Sequence, residues 1–166
     1  MPKSDQGVSS ERYRVIPRTL IFITRDVDVL MIKGSPQKRL WANRYNGIGG
    51  HFERGEDVLT AARRELYEET GISVSDLWLC GSVFVDASET TGIAIFVLRG
   101  VYEGGNLQQS EEGELEWVDR ERIFTLPLVE DLPILLPKIF GMRRGEPPFA
   151  ARSGYDAIDH LFVSFG

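Results

Sequence analysis

The sequence lacks the features that would support a disulfide scaffold, a membrane span or electrostatic binding to nucleic acid. It has one cysteine, Cys80, so an intramolecular disulfide cannot form. No apolar run approaches the ~20 residues that a membrane helix needs. The formal net charge of −6 gives no general attraction for nucleic acid or for an anionic membrane. We therefore expect no nucleic-acid or membrane partner, and a reducing compartment, the cytoplasm by default.

Length and composition predict one folded domain. The chain has 166 residues, of which 42% are hydrophobic and 27% charged, close to the average for globular proteins. This length suits a single hydrophobic core. The polar segment 1–11 is expected to be a disordered leader, and residues 12–166 are expected to form the domain. Cys80 lies in an apolar segment with no histidine nearby in sequence, which favours a small buried hydrophobe over a nucleophile.

Hydrophobic patterning predicts a succession of strands. Segments rich in Val, Ile, Leu and Phe, bounded by turn residues, are typical of strands. Such segments lie at residues 13–24, 27–32, 77–85, 92–102, 115–118 and 158–165. The glycine-rich stretch 43–55 is predicted to be an irregular loop whose backbone comes close to another group.

Two helices are predicted between these strands. In residues 57–70 the apolar side chains recur at helical spacing, and Gly71 suits the position just past the helix. A shorter, proline-containing helix is predicted at 132–140, followed by a linker at 141–148. Strands and helices mixed in this order predict an α/β sandwich, with helices on both faces of a mixed central sheet.

A group of glutamates on the first predicted helix is the main chemical signal. Glu65, Glu68 and Glu69 are spaced i, i+3 and i+4, so they project from one helix face. Three like charges on one face repel each other unless a cation compensates them. Mg²⁺ prefers oxygen ligands shared between carboxylates, water and phosphate. The spacing therefore indicates a carboxylate platform for Mg²⁺, whereas the alternative for this short string alone is a solvated charged face.

The residues around these glutamates match the Nudix box at all its specified positions. The matching residues are Gly50, Glu56, Arg64, Glu65, Leu66, Glu68, Glu69, Gly71 and Ile72. Because so many specified positions coincide in a loop–helix–turn context, the chain resembles the Nudix hydrolases. This resemblance implies a Nudix-type α/β/α sandwich and the cleavage of a diphosphate bond in a nucleotide.

The resemblance also implies the metal ligands. Glu65 and Glu69 are the expected ligands, and Glu68 is expected to be a further ligand or a partner of the catalytic base. The backbone carbonyl of Gly49, just before the box, is expected to complete the metal shell. The expected ion is Mg²⁺, for which Mn²⁺ can substitute.

Two further roles follow from the resemblance. Glu56 and Arg64 are expected to form an internal ion pair that holds the glycine loop against the helix. Many Nudix enzymes draw another catalytic glutamate from a loop outside the box, and here the acidic residues lie at 111–114. Glu112 is our first choice among them, and the alternative is a mobile acidic loop without a chemical role.

The flanks of the box point to a substrate. Asn46 begins an Asn-Gly-aliphatic-Gly-Gly run that resembles MutT-like enzymes, in which this asparagine helps to hold the base; the alternative is a simple turn. Glu130 and Asp131 resemble the acidic pair that reads the base in animal enzymes acting on oxidised purine triphosphates. The alternative for Asp131 is a cap on the helix that follows. Lys33 is a candidate phosphate contact.

These residues predict hydrolysis of a nucleoside triphosphate, oxidised purine ones included, to the monophosphate and pyrophosphate. One alternative is a hydrolase of nucleoside diphosphates linked to another group, such as ADP-ribose. The other is a domain that binds nucleotide without turnover, although such domains usually lose box carboxylates that this chain keeps. The expected partner is a small nucleotide, and either a monomer or a homodimer is compatible with the sequence.

Overall fold

A computed structural model, which describes residues 2, 5–9 and 11–166, has two helices that pack on a curled mixed sheet. The strands are β1 (Arg14–Arg25), β2 (Asp28–Gly34), β3 (Tyr45–Asn46), β4 (Trp78–Val85), β5 (Thr91–Val101), β6 (Gly113–Asp119), β7 (Phe149–Tyr155) and β8 (Leu161–Phe165). The helices are α1 (Val58–Thr70) and α2 (Leu132–Gly141), and a 3-10 turn at Ile123–Thr125 precedes α2. In this described part of the chain, neither helix is long and apolar enough to cross a membrane.

The sheet runs in the order β3-β2-β1-β5-β4-β7-β8, and β6 pairs with β2 outside this path. The pairs β1–β5 and β4–β7 are parallel, and the other pairs are antiparallel. β1 meets β2 only near their shared turn, at Thr24↔Val29 and Arg25↔Asp28, whereas β2 pairs with β6 along its whole length. The sheet is therefore open between β1 and β2, and the Gly47–Gly50 segment lies against β1 there, with Ile48 bridged to Ile21.

Each face of the sheet has its own apolar core. Successive side chains of a strand point to opposite faces. In β1, Leu20 and Phe22 accordingly join the cluster that contains Leu135 of α2, while Ile21 joins the cluster that contains Leu66 of α1. One helix covers each face, which confirms the predicted α/β/α sandwich with a mixed sheet.

Helix α1 begins and ends where local signals predict. The Asp57 carboxylate accepts hydrogen bonds from the backbone N–H groups of Leu59 and Thr60, and so satisfies two donors that have no partner within the helix. Gly71 has φ 74° and ψ 0°, a left-handed conformation that glycine adopts without steric cost, and its N–H donates to the Tyr67 carbonyl. Both ends of the helix that carries the glutamates are thus fixed in place.

The structure differs from the sequence-based expectation at two elements. The predicted loop at 43–55 contains the short strand β3 and two bridges to β1, so it is more ordered than expected. Strand β7 was not predicted: its sequence, Phe-Ala-Ala-Arg-Ser-Gly-Tyr, has few β-favouring residues, and pairing with β4 supplies its stability instead. Of the predicted leader at 1–11, residues 1, 3, 4 and 10 lie outside the described residues.

Candidate active site

A cavity of about 400 Å³ brings most of the predicted site residues together. Those that line it are Asn46, Gly49, Glu65, Glu69, Glu112, Glu130 and Asp131. Its volume falls in the range of small-molecule sites, ~300–1,000 Å³. The helix that carries the glutamates, the glycine loop and the segment before α2 all contribute to this cavity. It therefore joins the expected metal end of the site to the expected base end.

Glu69 and Glu65 of α1 form the acidic side of the cavity. Burial, and then the charge of Glu65, raise the pKa of Glu69 to about 7, while the backbone of Gly49 and the Lys38 ammonium oppose this rise. Glu65 is also largely shielded, with 13% of its side chain exposed. Two crowded carboxylates in a shielded position favour a bound cation, because it relieves both their repulsion and their desolvation.

The glycines before α1 allow the loop to approach these carboxylates. A Cβ atom on Gly50 would lie 2.5 Å from Oε2 of Glu65, and a Cβ on Gly49 would collide with the Thr19 carbonyl oxygen. The Gly50 carbonyl accepts a hydrogen bond of 2.9 Å from the Thr19 N–H, which holds the loop on β1. The glycines are therefore required sterically beside the acidic side of the cavity.

Arg64 connects the loop to the helix. Its Nε donates to Oε1 of Glu56 at 2.6 Å and its Nη2 donates to Oε2 of Glu56 at 2.8 Å, so the predicted ion pair is present. The Arg64 hydrogen bonds, followed by that of the Glu53 backbone, lower the pKa of Glu56 to about 2. Nη2 of Arg64 also donates to the His51 carbonyl at 2.9 Å, so a single guanidinium ties Glu56 and the loop to α1.

Comparisons with known proteins agree with this geometry. The family model described as NUDIX domain matches residues 15–139, three quarters of the chain. The chain belongs to the Nudix family.

Among the relatives of this Nudix chain, a Mus musculus protein named oxidized purine nucleoside triphosphate hydrolase is 33% identical over 127 residues, which cover 72% of this chain and 79% of the relative. The Danio rerio protein of the same name is 31% identical over 125 residues, with the same coverage. Among solved structures, a MutT protein from Bacillus halodurans has a TM-score of 0.76 at 20% identity, covering 91% of this chain and 97% of its own. That last likeness supports the Nudix fold.

Glu68 of the Nudix box does not line the cavity with Glu65 and Glu69. Its side chain is 57% exposed, and one of its oxygens accepts a hydrogen bond of 3.0 Å from Arg64. Within the described residues, no three Asp, Glu, His or Cys side chains form a ready metal cluster. The three residues expected to bind the metal, Gly49, Glu65 and Glu69, all line the cavity, and the Gly49 carbonyl accepts no hydrogen bond from the described chain. Such a partial oxygen shell fits Mg²⁺, which usually keeps water and phosphate oxygens among its ligands.

The acidic loop before β6 contributes one glutamate to the cavity. Glu112 lines it and forms an ion pair with Lys38, which lines it too. Glu111 and Glu114 line a different cavity on the surface. Of these three glutamates, only Glu112 therefore lines the cavity that contains Glu65 and Glu69.

The residues expected at the base end lie on two elements. Asn46, at the end of β3, accepts a hydrogen bond of 2.9 Å from the Gly47 N–H through its side-chain oxygen, which leaves its amide N–H₂ group for a ligand. Asp131 occupies the N-cap position of α2, as the capping interpretation predicted, but its side chain makes no capping hydrogen bond. Burial raises the pKa of Asp131 above its ordinary value.

Lys33 lies away from these residues. It lines the second surface cavity, and its Nζ atom is 5.9 Å from the centroid of the Tyr45 ring. Its position therefore does not support the phosphate contact that the sequence suggested. Lys38 is the lysine that the fold brings to the cavity.

Several residues that line the cavity were not predicted from the sequence, among them Arg18, Lys38, Trp41 and Tyr155. Trp41 has φ 58°, a rare conformation for a bulky residue, and 46% of it is exposed. None of these four lies in a motif, and they come from three segments far apart in the chain, since Lys38 and Trp41 share one loop. Only tertiary structure joins them, so the sequence carried no local signal for their role.

Proposed function

We propose that this Nudix hydrolase cleaves nucleoside triphosphates, oxidised purine ones included, to the monophosphate and pyrophosphate in a Mg²⁺-dependent reaction. The observation that carries the proposal is the single cavity in which two box carboxylates and three polar residues suited to a base, Asn46, Glu130 and Asp131, lie together. The names of the two animal relatives support the same class of substrate.

Glu65, Glu69 and the Gly49 carbonyl would hold the metal. A bound Mg²⁺ would offset the charge of the phosphate oxygens and make a bound water more acidic. The carboxylates would be ionised in that state, because metal ligands must be deprotonated. Glu68, which contacts Arg64 at the edge of the box, would help to fix the ion pairs around the site or join the shell after a change of rotamer.

Glu112 and Lys38 would act on the phosphate chain. A triphosphate oxygen would compete with Glu112 for the Lys38 ammonium, because a lysine binds phosphate as a compact charge. Release of Glu112 from its ion pair would leave its carboxylate able to accept a proton from the attacking water. Their shared position in the cavity supports both roles.

Asn46, Glu130 and Asp131 would read the base. The free amide group of Asn46 donates hydrogen bonds, and the exposed Glu130 carboxylate accepts them. Asp131, whose pKa burial raises, would donate as well as accept when it carries a proton. A purine edge presents adjacent donors and acceptors, and this set of side chains can match them.

A hydrolysis panel with and without Mg²⁺ tests the proposal. It should contain the common nucleoside triphosphates, 8-oxo-dGTP, ADP-ribose and a dinucleoside polyphosphate, with the products separated by chromatography. We expect pyrophosphate, with the highest kcat/KM on a purine triphosphate and no turnover in EDTA. AMP from ADP-ribose without pyrophosphate would replace the proposed substrate, and nucleotide binding without turnover would refute the enzymatic proposal.

A further inference from the structure

The C-terminal hairpin β7–β8 forms part of the cavity although it lies beyond the matched Nudix region, which ends at residue 139. Ser153 of β7 pairs with Val85 of β4, and Val85 pairs with Ile93 of β5; all three line the cavity. Tyr155 and Leu161, which pair within the hairpin, line it as well. The hairpin therefore extends the sheet that forms one wall of the site.

Tyr155 contacts one of the two acidic residues across this cavity. Its phenol donates a hydrogen bond of 2.8 Å to Oε2 of Glu130, a residue 25 positions earlier in the chain. Within the described residues, Oε1 of Glu130 has no hydrogen-bond partner. The hydrogen bond from the phenol thus occupies one carboxylate oxygen and leaves the other available to a ligand.

Orientation of Glu130 would otherwise be poorly fixed. Its side chain lies at the solvent-exposed rim, makes no ion pair in the described structure, and has several rotatable bonds whose ordering costs entropy. Tyr155 has a rigid ring on a paired strand, so a hydrogen bond from it restricts the carboxylate before a ligand arrives. Preorganisation of this kind improves binding by reducing the ordering cost.

We propose that Tyr155 is a positioning residue for base selection, which orients Glu130 so that its free oxygen accepts a hydrogen bond from a purine N–H group. The inference rests on the proposed function in that the ligand is a nucleotide whose base contacts Glu130. It does not depend on hydrolysis, on the metal or on the identity of the catalytic base.

The test measures binding of two analogues that resist cleavage, the α,β-methylene triphosphates of guanosine and cytidine, by calorimetry in Mg²⁺. We expect the wild type to favour the guanosine analogue and Tyr155→Phe to reduce that preference by about tenfold, since a hydrogen bond to a charged group is lost while the ring stays. Tyr13→Phe is the matched control, because Tyr13 is also about half-exposed but does not line the cavity.

A double-mutant cycle separates positioning from a general structural effect. If Tyr155 acts through Glu130, Glu130→Gln should reduce the preference by a similar factor, and Tyr155→Phe should add little in that background. Three results would each overturn the inference: an unchanged preference in Tyr155→Phe, a full further loss in the Glu130→Gln background, or no guanosine preference in the wild type. Binding without hydrolysis would refute the proposed function alone, because the binding ratio still decides the role of Tyr155.

Discussion

At the scale of single residues, Glu69 combines burial with a neighbouring like charge. Its surroundings include Glu65 and Glu68, which raise its pKa, and Lys38 and the Gly49 backbone, which lower it. In the metal-free protein this carboxyl group is harder to ionise than in the unfolded chain. A group in this condition links protein stability to pH and to metal ions.

The first prediction concerns the metal-free stability. The folded pKa of Glu69, about 7, lies above the ordinary value of 4.5, so the folded state binds the proton more tightly. The stability that this proton binding contributes to the free energy of unfolding is fully present below pH ~4.5. It is lost as the pH rises through about 7, a change on the order of 3 kcal/mol. Thermal unfolding in EDTA between pH 4.5 and 8 should show this loss, and Glu69→Gln should remove it. An equal slope in wild type and Glu69→Gln would contradict the prediction; exposed Glu89→Gln is the control.

The second prediction concerns activity. Glu69→Gln keeps the size of the side chain but removes a charged oxygen ligand, so kcat/KM should fall by at least about a hundredfold, of the size seen when a group that stabilises the transition state is removed. The circular dichroism spectrum should stay that of the wild type. Turnover close to wild type in Glu69→Gln, measured as pyrophosphate release beside the Glu89→Gln control, would exclude Glu69 as a metal ligand.

Two of the predicted residues that line the cavity share a local sequence pattern. Glu65 and Glu69 were found because helical spacing and the match to the Nudix box coincide, although the same pattern included Glu68, which does not line the cavity. Lys38, Trp41 and Tyr155 reach the cavity through long-range strand pairing and loop packing, which leave no periodic trace in the sequence. Lys33 does not line this cavity, because the strand that carries it was predicted but the cavity that it faces depends on how the sheet curls.

At the scale of elements, helix α1 and its loop depend on Arg64. The guanidinium is 20% exposed and contacts Glu56, Glu65, Glu68 and the His51 carbonyl. Its removal leaves shielded carboxylates without a cation. The planar fork also matters, since Nε and Nη2 each donate to a different oxygen of Glu56.

The third prediction is that Arg64→Ala lowers the free energy of unfolding by about 1.5–3 kcal/mol, because it breaks a partly buried set of charge-assisted hydrogen bonds. The free energy of unfolding of Arg64→Lys should lie between those of Arg64→Ala and the wild type, since lysine keeps the charge and loses the bidentate geometry. Urea unfolding followed by fluorescence measures both variants. The exposed pair of Arg144 and Asp76 offers a control, in which Arg144→Ala should change stability little. Equal losses in Arg64→Ala and Arg144→Ala would disprove the structural role.

Elements defined by local signals were predicted well, and elements defined by partners were not. The limits of α1 follow from a capping aspartate and a left-handed glycine within its own sequence. Strand β7 has a sequence that suits a strand poorly, and it forms because β4 offers an unpaired edge on one side and β8 pairs on the other. The parallel pairing of β4 with β7 joins segments that are distant in the chain, so it cannot be predicted from a short stretch of sequence.

At the scale of the whole molecule, the C-terminal hairpin completes both the sheet and the cavity. Phe149 and Ala151 are buried in the core that α2 covers, and β7 occupies the edge of β4. The site therefore depends on residues at both ends of the chain, from Arg18 to Leu161.

The fourth prediction is that a chain shortened after residue 145 is aggregation-prone. Loss of the hairpin would uncover apolar residues of β4 and leave its backbone edge without a partner. Light scattering and gel filtration would measure the aggregation. A chain that lacks only residues 1–9 serves as the control, because it is also a terminal truncation. A shortened chain that stays monomeric and keeps the thermal midpoint of the full chain would show that the hairpin is dispensable.

The rate at which a thiol reagent labels Cys80 measures how often the core of the protein opens. Its side chain is fully buried in the core beside α2, and burial raises the pKa of its thiol to about 12, so a thiol reagent cannot react with it in the folded state. Every molecule labelled by such a reagent has opened its core at least once. A ligand that binds the folded protein makes opening rarer, so the labelling rate should fall as nucleotide or Mg²⁺ is added. Binding can therefore be measured without a substrate assay, a dye or an engineered probe.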